Sequence, residues 1–239
     1  MNILAIGNSF SQDATRYLHD IARGEGVNLE VVNLYIGGCS LDRHFRNIMD
    51  DKKAYELEVD GHKTGFMVSV KDALLNREWD IVTLQQVSGK SGKYETFAPY
   101  LEELACYVKK YAPNAKLYIH QTWAYEDESK ILYNNYNTES GKEMYMLLEA
   151  AYKKAYEDIS ADGIIESGKL MMKLLDSGIE KIHRDTFHLT YGLGRYAAGL
   201  LWYSTICQKP VDTVKFCDFD EAVSDEEIAI VKKCINEIR

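Results

Sequence analysis

Two short stretches carry residue types that could together do nucleophilic chemistry. In MNILAIGNSF the apolar run Ile3–Ile6 stops at Gly7, and Ser9 follows two places later. In KIHRDTFHLT, residues 181–190, Asp185 precedes His188 by three positions, so a single loop turn can lay the carboxylate against the far nitrogen of the same imidazole. A serine nucleophile needs a base to take its proton and a third group to orient that base. Ser9, His188 and Asp185 are of those three types. Of the six histidines, His19 falls off the apolar face of its helix, His44 and His62 sit in polar surroundings, and His120 lies inside a strand-like run where it should pack. By type His183, Asp185 and His188 also suit a metal, but no fourth ligand is evident and Ser9 would be left without a role. Taken alone, Asn8-Ser9-Phe10-Ser11 reads more readily as a turn followed by a helix cap, because Asn and Ser are turn formers.

The elements that must position these residues are legible as an alternation. Ile3–Ile6 has the continuous apolar character of a strand buried on both faces. Ser11 then stands as a helix N-cap, with Ala14, Tyr17, Leu18, Ile21 and Ala22 forming an apolar stripe and Gly24 and Gly26 ending it. The unit recurs: LEVVNLYI (29–36) before GGCSLDRHF, DIVTL (80–84) before QQVSG and a helix near 96–111, KLYIH (116–120), and GIIE (163–166). Strands alternating with helices predict a three-layer α/β/α sandwich around a mostly parallel sheet. In such a sheet the ligand crevice lies outside the carboxyl ends of the strands, which is where Ser9 falls. Gly7 permits the sharp turn, and the helix that follows aims its amides and positive dipole end at that loop. Two segments break the alternation. Residues 51–66 carry a hairpin signal at Asp60-Gly61, and 124–141 reads as a long polar loop before a helix at about 141–159. Both are expected insertions in a single domain spanning 1–239, a length that suits one core.

The blocks taken together resemble the SGNH (GDSL-like) hydrolase superfamily: GNSF at the start, Gly37-Gly38 after the second strand, a Gln pair after the third, and DxxH near the end. The resemblance implies a flavodoxin-like central sheet and a serine esterase or acylhydrolase. It assigns the nucleophile to Ser9, the acid–base pair to Asp185 and His188, and an oxyanion hole to the N–H groups of Ser9 and Gly38. The sequence departs from the family pattern twice. Asn8 stands where the first block usually has Asp, and no Asn stands where the third block, GxND, supplies an oxyanion donor. A Gln amide carries the same donor on a longer stem, so Gln86, or else Gln85, is expected to serve. The reaction implied is acyl transfer to water, requiring no metal or organic cofactor.

Composition narrows the partners. A net charge of −9 offers no basic field for nucleic acid. The five cysteines (39, 106, 207, 217, 234) are scattered without a CxxC pair, against a disulfide framework or thiolate metal site. The first apolar segment lacks the form of a signal peptide, and YAAGLLWYSTIC (196–207) is too short to span a bilayer, so a cytoplasmic protein without membrane contact is expected. GLGRYAAG (192–199) matches GxGxxA but follows a polar loop, so it is expected to be a packed helix rather than a phosphate site. Trp123 and Tyr125, after the 116–120 strand, either form a flat wall for a sugar or aryl group or belong to the core. A small-molecule ester, such as an O-acylated short sugar, fits these limits as substrate. The alternatives are a catalytically degenerate protein of the same fold that binds a small molecule or carbohydrate, and a flavodoxin-like nucleotide binder.

Overall fold

A computed structural model describes all residues, Met1–Arg239. Chain order is β1 (Asn2–Gly7), α1 (Ser9–Thr15), α2 (Leu18–Gly24), β2 (Glu30–Tyr35), α3 (Leu41–Met49), β3 (Tyr55–Val59), β4 (His62–Val68), α4 (Val70–Asn76), β5 (Ile81–Leu84), α5 (Tyr100–Tyr111), β6 (Lys116–Gln121), α6 (Lys130–Tyr136), α7 (Gly141–Asp158), β7 (Gly163–Glu166), α8 (Ser167–Asp176), α9 (Leu193–Cys207) and α10 (Asp225–Ile238). The strands form one seven-stranded sheet in the order β4-β3-β2-β1-β5-β6-β7. β2, β1, β5, β6 and β7 run parallel, while β3 and β4 add an antiparallel hairpin at the β2 edge. This is the expected α/β/α sandwich.

β1 is central because its residues Ile3–Ile6 are buried on both faces, as a strand covered by helices on each side must be. The chain leaves β1 for β2 on one side and later reaches β5 on the other, so the switch in strand order opens a crevice at the carboxyl end of β1. Ser9, Gly38, Gln85 and Trp123 all follow strands that end there. On one face α1, α2, α8 and α10 gather around α9; on the other, α3 and α4 pack with α5. Helix α9 is apolar almost all round and buried along most of its length, the condition of a central core helix. The GxGxxA match therefore lies on a packed helix, as expected.

The structure differs from the sequence reading in three places. Asn8, not Ser11, caps α1: its side chain accepts from Phe10 N–H, while Ser11 completes a capping box from the third helical position. The helix predicted through 24 breaks at Arg16-Tyr17 into α1 and α2. The 124–141 segment is not all loop, since α6 forms within it. The hairpin signal at Asp60-Gly61 holds, with positive φ at both turn residues (51° and 79°), the pattern of a type I′ turn.

Candidate functional site

Ser9 is the first residue of α1 and stands immediately beyond the β1 end. Its hydroxyl oxygen lies 2.8 Å from His188 Nε2, and His188 Nδ1 lies 2.8 Å from Asp185 Oδ2. The ionised carboxylate can only accept, so Nδ1 carries the imidazole proton and donates it, leaving the Nε2 lone pair to accept from Ser9 O–H. Asp185 also accepts the backbone N–H of His188 at 2.8 Å through Oδ1. The loop between the two residues is thus a tight turn held by the carboxylate itself. Partial burial works to raise the Asp185 pKa, but the bonds from the His188 ring and backbone outweigh it and hold the carboxyl below its ordinary value. Spacing of three in the sequence becomes a continuous chain Asp185–His188–Ser9 in space.

Beside Ser9, the turn Ile36–Cys39 closes with Cys39 N–H on Ile36 O at 3.1 Å. Gly38 sits at its apex with φ +60°, a conformation that favours glycine. Neither Ser9 N–H nor Gly38 N–H is taken up by a protein acceptor. Gly7 answers a different need from the one the sequence suggested: a Cβ there would lie 2.3 Å from Ser11 Oγ and 3.1 Å from the Gln85 amide carbon, so close approach requires the glycine.

The two glutamines are placed elsewhere than expected. Gln86 is fully buried; its Oε1 accepts from Leu41 N–H (3.0 Å) and Val87 N–H (2.9 Å), and its Nε2 donates to Thr96 O (3.0 Å) and Oγ1 (3.2 Å). Every donor and acceptor of that amide is occupied, so it bridges α3 to the 88–96 loop and has nothing left for an oxyanion. Gln85 is likewise buried, bonded to Asn8 Oδ1 at 2.9 Å and His120 Nδ1 at 2.7 Å. Buried amides must be satisfied, and these are satisfied by scaffold. Trp123 and Tyr125 are corrected in the same direction. Trp123 is 0% and Tyr125 4% exposed, so Trp123 offers no wall to a ligand, and Tyr125 only edges a cavity that Ser9 and His188 do not line. Trp123 instead stacks on Phe10 with ring centroids 4.1 Å apart and donates its Nε1–H to Phe187 O at 2.8 Å. It supports the loop that carries His188 from behind, while Tyr125 bonds Ser88 Oγ at 2.8 Å.

Asp13 was not singled out by the sequence, yet it joins the two halves of the site. It is fully buried on α1, one turn beyond Ser9, and accepts from Arg184 Nη1 (3.0 Å), Arg195 Nε (2.8 Å) and Leu189 N–H (3.2 Å). Arg184 in turn donates to Leu189 O, and its own N–H bonds His188 O at 2.8 Å. The helix that carries Ser9 therefore grips the residues on both sides of His188. An acidic residue at i+4 from Ser9, in an otherwise apolar helix stripe, was the available signal. His183 is not part of the chain: it is 2% exposed, turned to Glu126 Oε1 at 3.2 Å, and burial lowers its pKa to about 4. A cavity of about 630 Å³ opens on that side, walled by Tyr125, Glu126, Met171 and His183. Ser9 and His188 are not on its wall, so chemistry rather than concavity marks the site. Among the His, Cys, Asp and Glu side chains, no group of three or more is arranged to hold a metal ion.

The comparisons with known proteins bear on the family and the fold. Residues 2–237 match the model of a domain of unknown function, DUF4886. The chain belongs to the DUF4886 family. A crystal structure of a DUF4886 protein from Bacteroides uniformis superposes with a TM-score of 0.93 at 32% identity, covering 99% of this chain and 93% of that one. A candidate SGNH hydrolase from Slackia heliotrinireducens gives a TM-score of 0.62 at 22% identity, over 86% and 98% of the two chains. A variant of an acetyl-xylooligosaccharide esterase from a Geobacillus gives 0.52 at 11%, over 90% and 94%. At those identities the latter two show the fold: this DUF4886 protein has an SGNH-like α/β/α architecture. No curated protein matches its sequence. No helix is long and apolar enough to cross a membrane.

Proposed function

We propose that the protein is a serine ester hydrolase that removes a small acyl group, with an O-acetylated short sugar as the first substrate class to test. The observation that carries the reading is the unbroken Asp185–His188–Ser9 chain, each link 2.8 Å long. His188 takes the Ser9 proton as Oγ attacks the ester carbonyl, and Asp185 holds the imidazole in the tautomer that leaves Nε2 free to accept. The tetrahedral oxyanion forms beside the N–H groups of Ser9 and Gly38. His188 then returns the proton to the departing alcohol, and water, deprotonated by the same imidazole, releases the acyl group from Ser9. The fold it shares with esterases, one of which is named for acetyl-xylooligosaccharides, supports the ester and the sugar, and the acidic net charge of −9 favours neutral over polyanionic substrates.

The test is hydrolysis of p-nitrophenyl acetate, p-nitrophenyl butyrate and an acetylated xylo-oligosaccharide by wild type beside Ser9→Ala. Turnover that disappears in the variant is the expected result, with acetate preferred. A wild type inert on all three esters, or a Ser9→Ala protein as active as wild type, would sink the assignment.

A further inference from the structure

The two departures from the SGNH pattern, Asn8 and the Gln pair, meet in space. Asn8 is 1% exposed and lies between two backbone groups that cannot exchange roles: its Oδ1 accepts from Phe10 N–H at 2.9 Å, and its Nδ2 donates to Cys39 O at 3.0 Å. That fixes which way the amide faces. The same Oδ1 accepts from Gln85 Nε2 at 2.9 Å, which orients the Gln85 amide and turns its Oε1 toward His120 Nδ1 at 2.7 Å. His120 must then carry its proton on Nδ1, and its Nε2 accepts from Ser167 Oγ–H at 3.0 Å. Direction passes without a break from the backbone at Phe10 and Cys39 through β5 and β6 to the start of α8.

We propose that Asn8 is the positioning residue of the site, and that the buried relay Asn8–Gln85–His120–Ser167 holds the Gly38 turn in register with the Ser9 helix. Asn8 is the one side chain that touches both backbone segments whose N–H groups face the oxyanion: it caps the helix that begins at Ser9 and tethers the carbonyl next to Gly38. An Asp in its place, as the family pattern prefers, would set a carboxylate oxygen against Cys39 O, where a donor is required. Cys39 O selects the amide over the acid, because it needs a donor, whereas the Gln85 Nε2–H would be accepted by either. The burial of His120, which lowers its pKa to about 3, keeps it in the neutral form that the relay uses. This inference rests on the esterase reading.

Two measurements test it. Turnover of p-nitrophenyl acetate is compared for wild type, Asn8→Asp, Gln85→Glu and the double variant, each checked for a folded far-ultraviolet spectrum and an unfolding transition. The expected result is a fall in kcat of about 10- to 100-fold for each single variant, KM within about twofold, and a double variant no worse than the weaker single, because both break one chain. Long-range ¹⁵N–¹H spectra of the wild-type imidazoles read the relay directly and do not depend on any variant folding: His120 should be protonated on Nδ1 alone. A proton on His120 Nε2, or folded single variants that keep more than half of the wild-type kcat, overturns the proposal while leaving the esterase reading intact. Wild-type turnover that is absent or indifferent to Ser9→Ala overturns the esterase reading, and the positioning role of Asn8 with it.

Discussion

Replacing Asp13 by Asn should loosen the grip of the nucleophile helix on the His188 loop. Asp13 is fully buried and accepts four contacts from Arg184, Arg195 and Leu189 N–H. The amide keeps the shape but loses the charge, and one of its two heavy atoms can no longer accept. Breaking a buried ion pair from one side typically costs about 3–5 kcal/mol, most of it the stranded partner charge. The lower figure applies here, since Arg195 retains Asp220 Oδ2 at 3.3 Å and both guanidinium groups lie over the Tyr191 ring, at 4.6 and 4.5 Å from its centroid. A loss of about 3 kcal/mol in a chain of this length lowers Tm by roughly 6–12 °C. The same change frees the segment that fixes the Ser9–His188 contact, and a misplacement of about 1 Å at a reacting pair can cost 10²-fold. Scanning calorimetry and esterase kinetics should therefore show both effects in Asp13→Asn, with kcat down by about 10- to 100-fold. Arg184→Met added to it should recover part of the lost stability by removing one uncompensated charge. An Asp13→Asn protein within about 2 °C and twofold of wild type would refute the clamp, since the magnitude follows from a buried, fully engaged carboxylate.

Asp185→Asn should cut kcat by about 10⁴-fold while leaving Tm nearly unchanged, because the carboxylate is 45% exposed and its work is to hold a tautomer; equal losses in activity and stability would contradict that division. Stability should fall as pH is lowered from 6.5 toward 5. Burial lowers the pKa of His44 and His120 from 6.5 to about 3, so in this window the unfolded chain binds protons that the folded chain does not. Each histidine then contributes a loss of up to about 1.4 kcal/mol per pH unit; urea titrations at pH 7, 6 and 5 giving a flat or rising free energy of unfolding would show that these imidazoles are not held neutral. Gly61→Ala should destabilise by about 2 kcal/mol or more, because the turn needs φ +79° and an added Cβ would stand 2.2 Å from Arg16 O. Activity per folded molecule should persist, and an unchanged Tm would mean that the hairpin tip can move away from α1.

The sequence by itself determined the layered fold and pointed to the residues proposed to react. Apolar runs such as Ile3–Ile6 and the stripe Ala14–Ala22 are local signals of burial with a period, and strand–turn–helix alternation leaves little choice of architecture. Ser9 was legible because it follows β1, and Asp185 with His188 because they close one loop turn. What only tertiary structure decided is where buried polar groups find partners. Gln85 and Gln86 carry the same amide; whether it faces a reaction or a scaffold depends on Asn8, His120, Leu41 and Thr96, which are distant in sequence. Trp123 and Tyr125 followed a strand into the crevice by sequence, but the packing of Phe10 and Phe187 over them made them core. Asp13 could be read as an oddity on an apolar stripe, yet its partners lie more than 170 residues away, in a loop and a helix that only folding brings to α1. Burial makes each unpaired polar group costly, so such residues are settled by three-dimensional pairing rather than by local pattern.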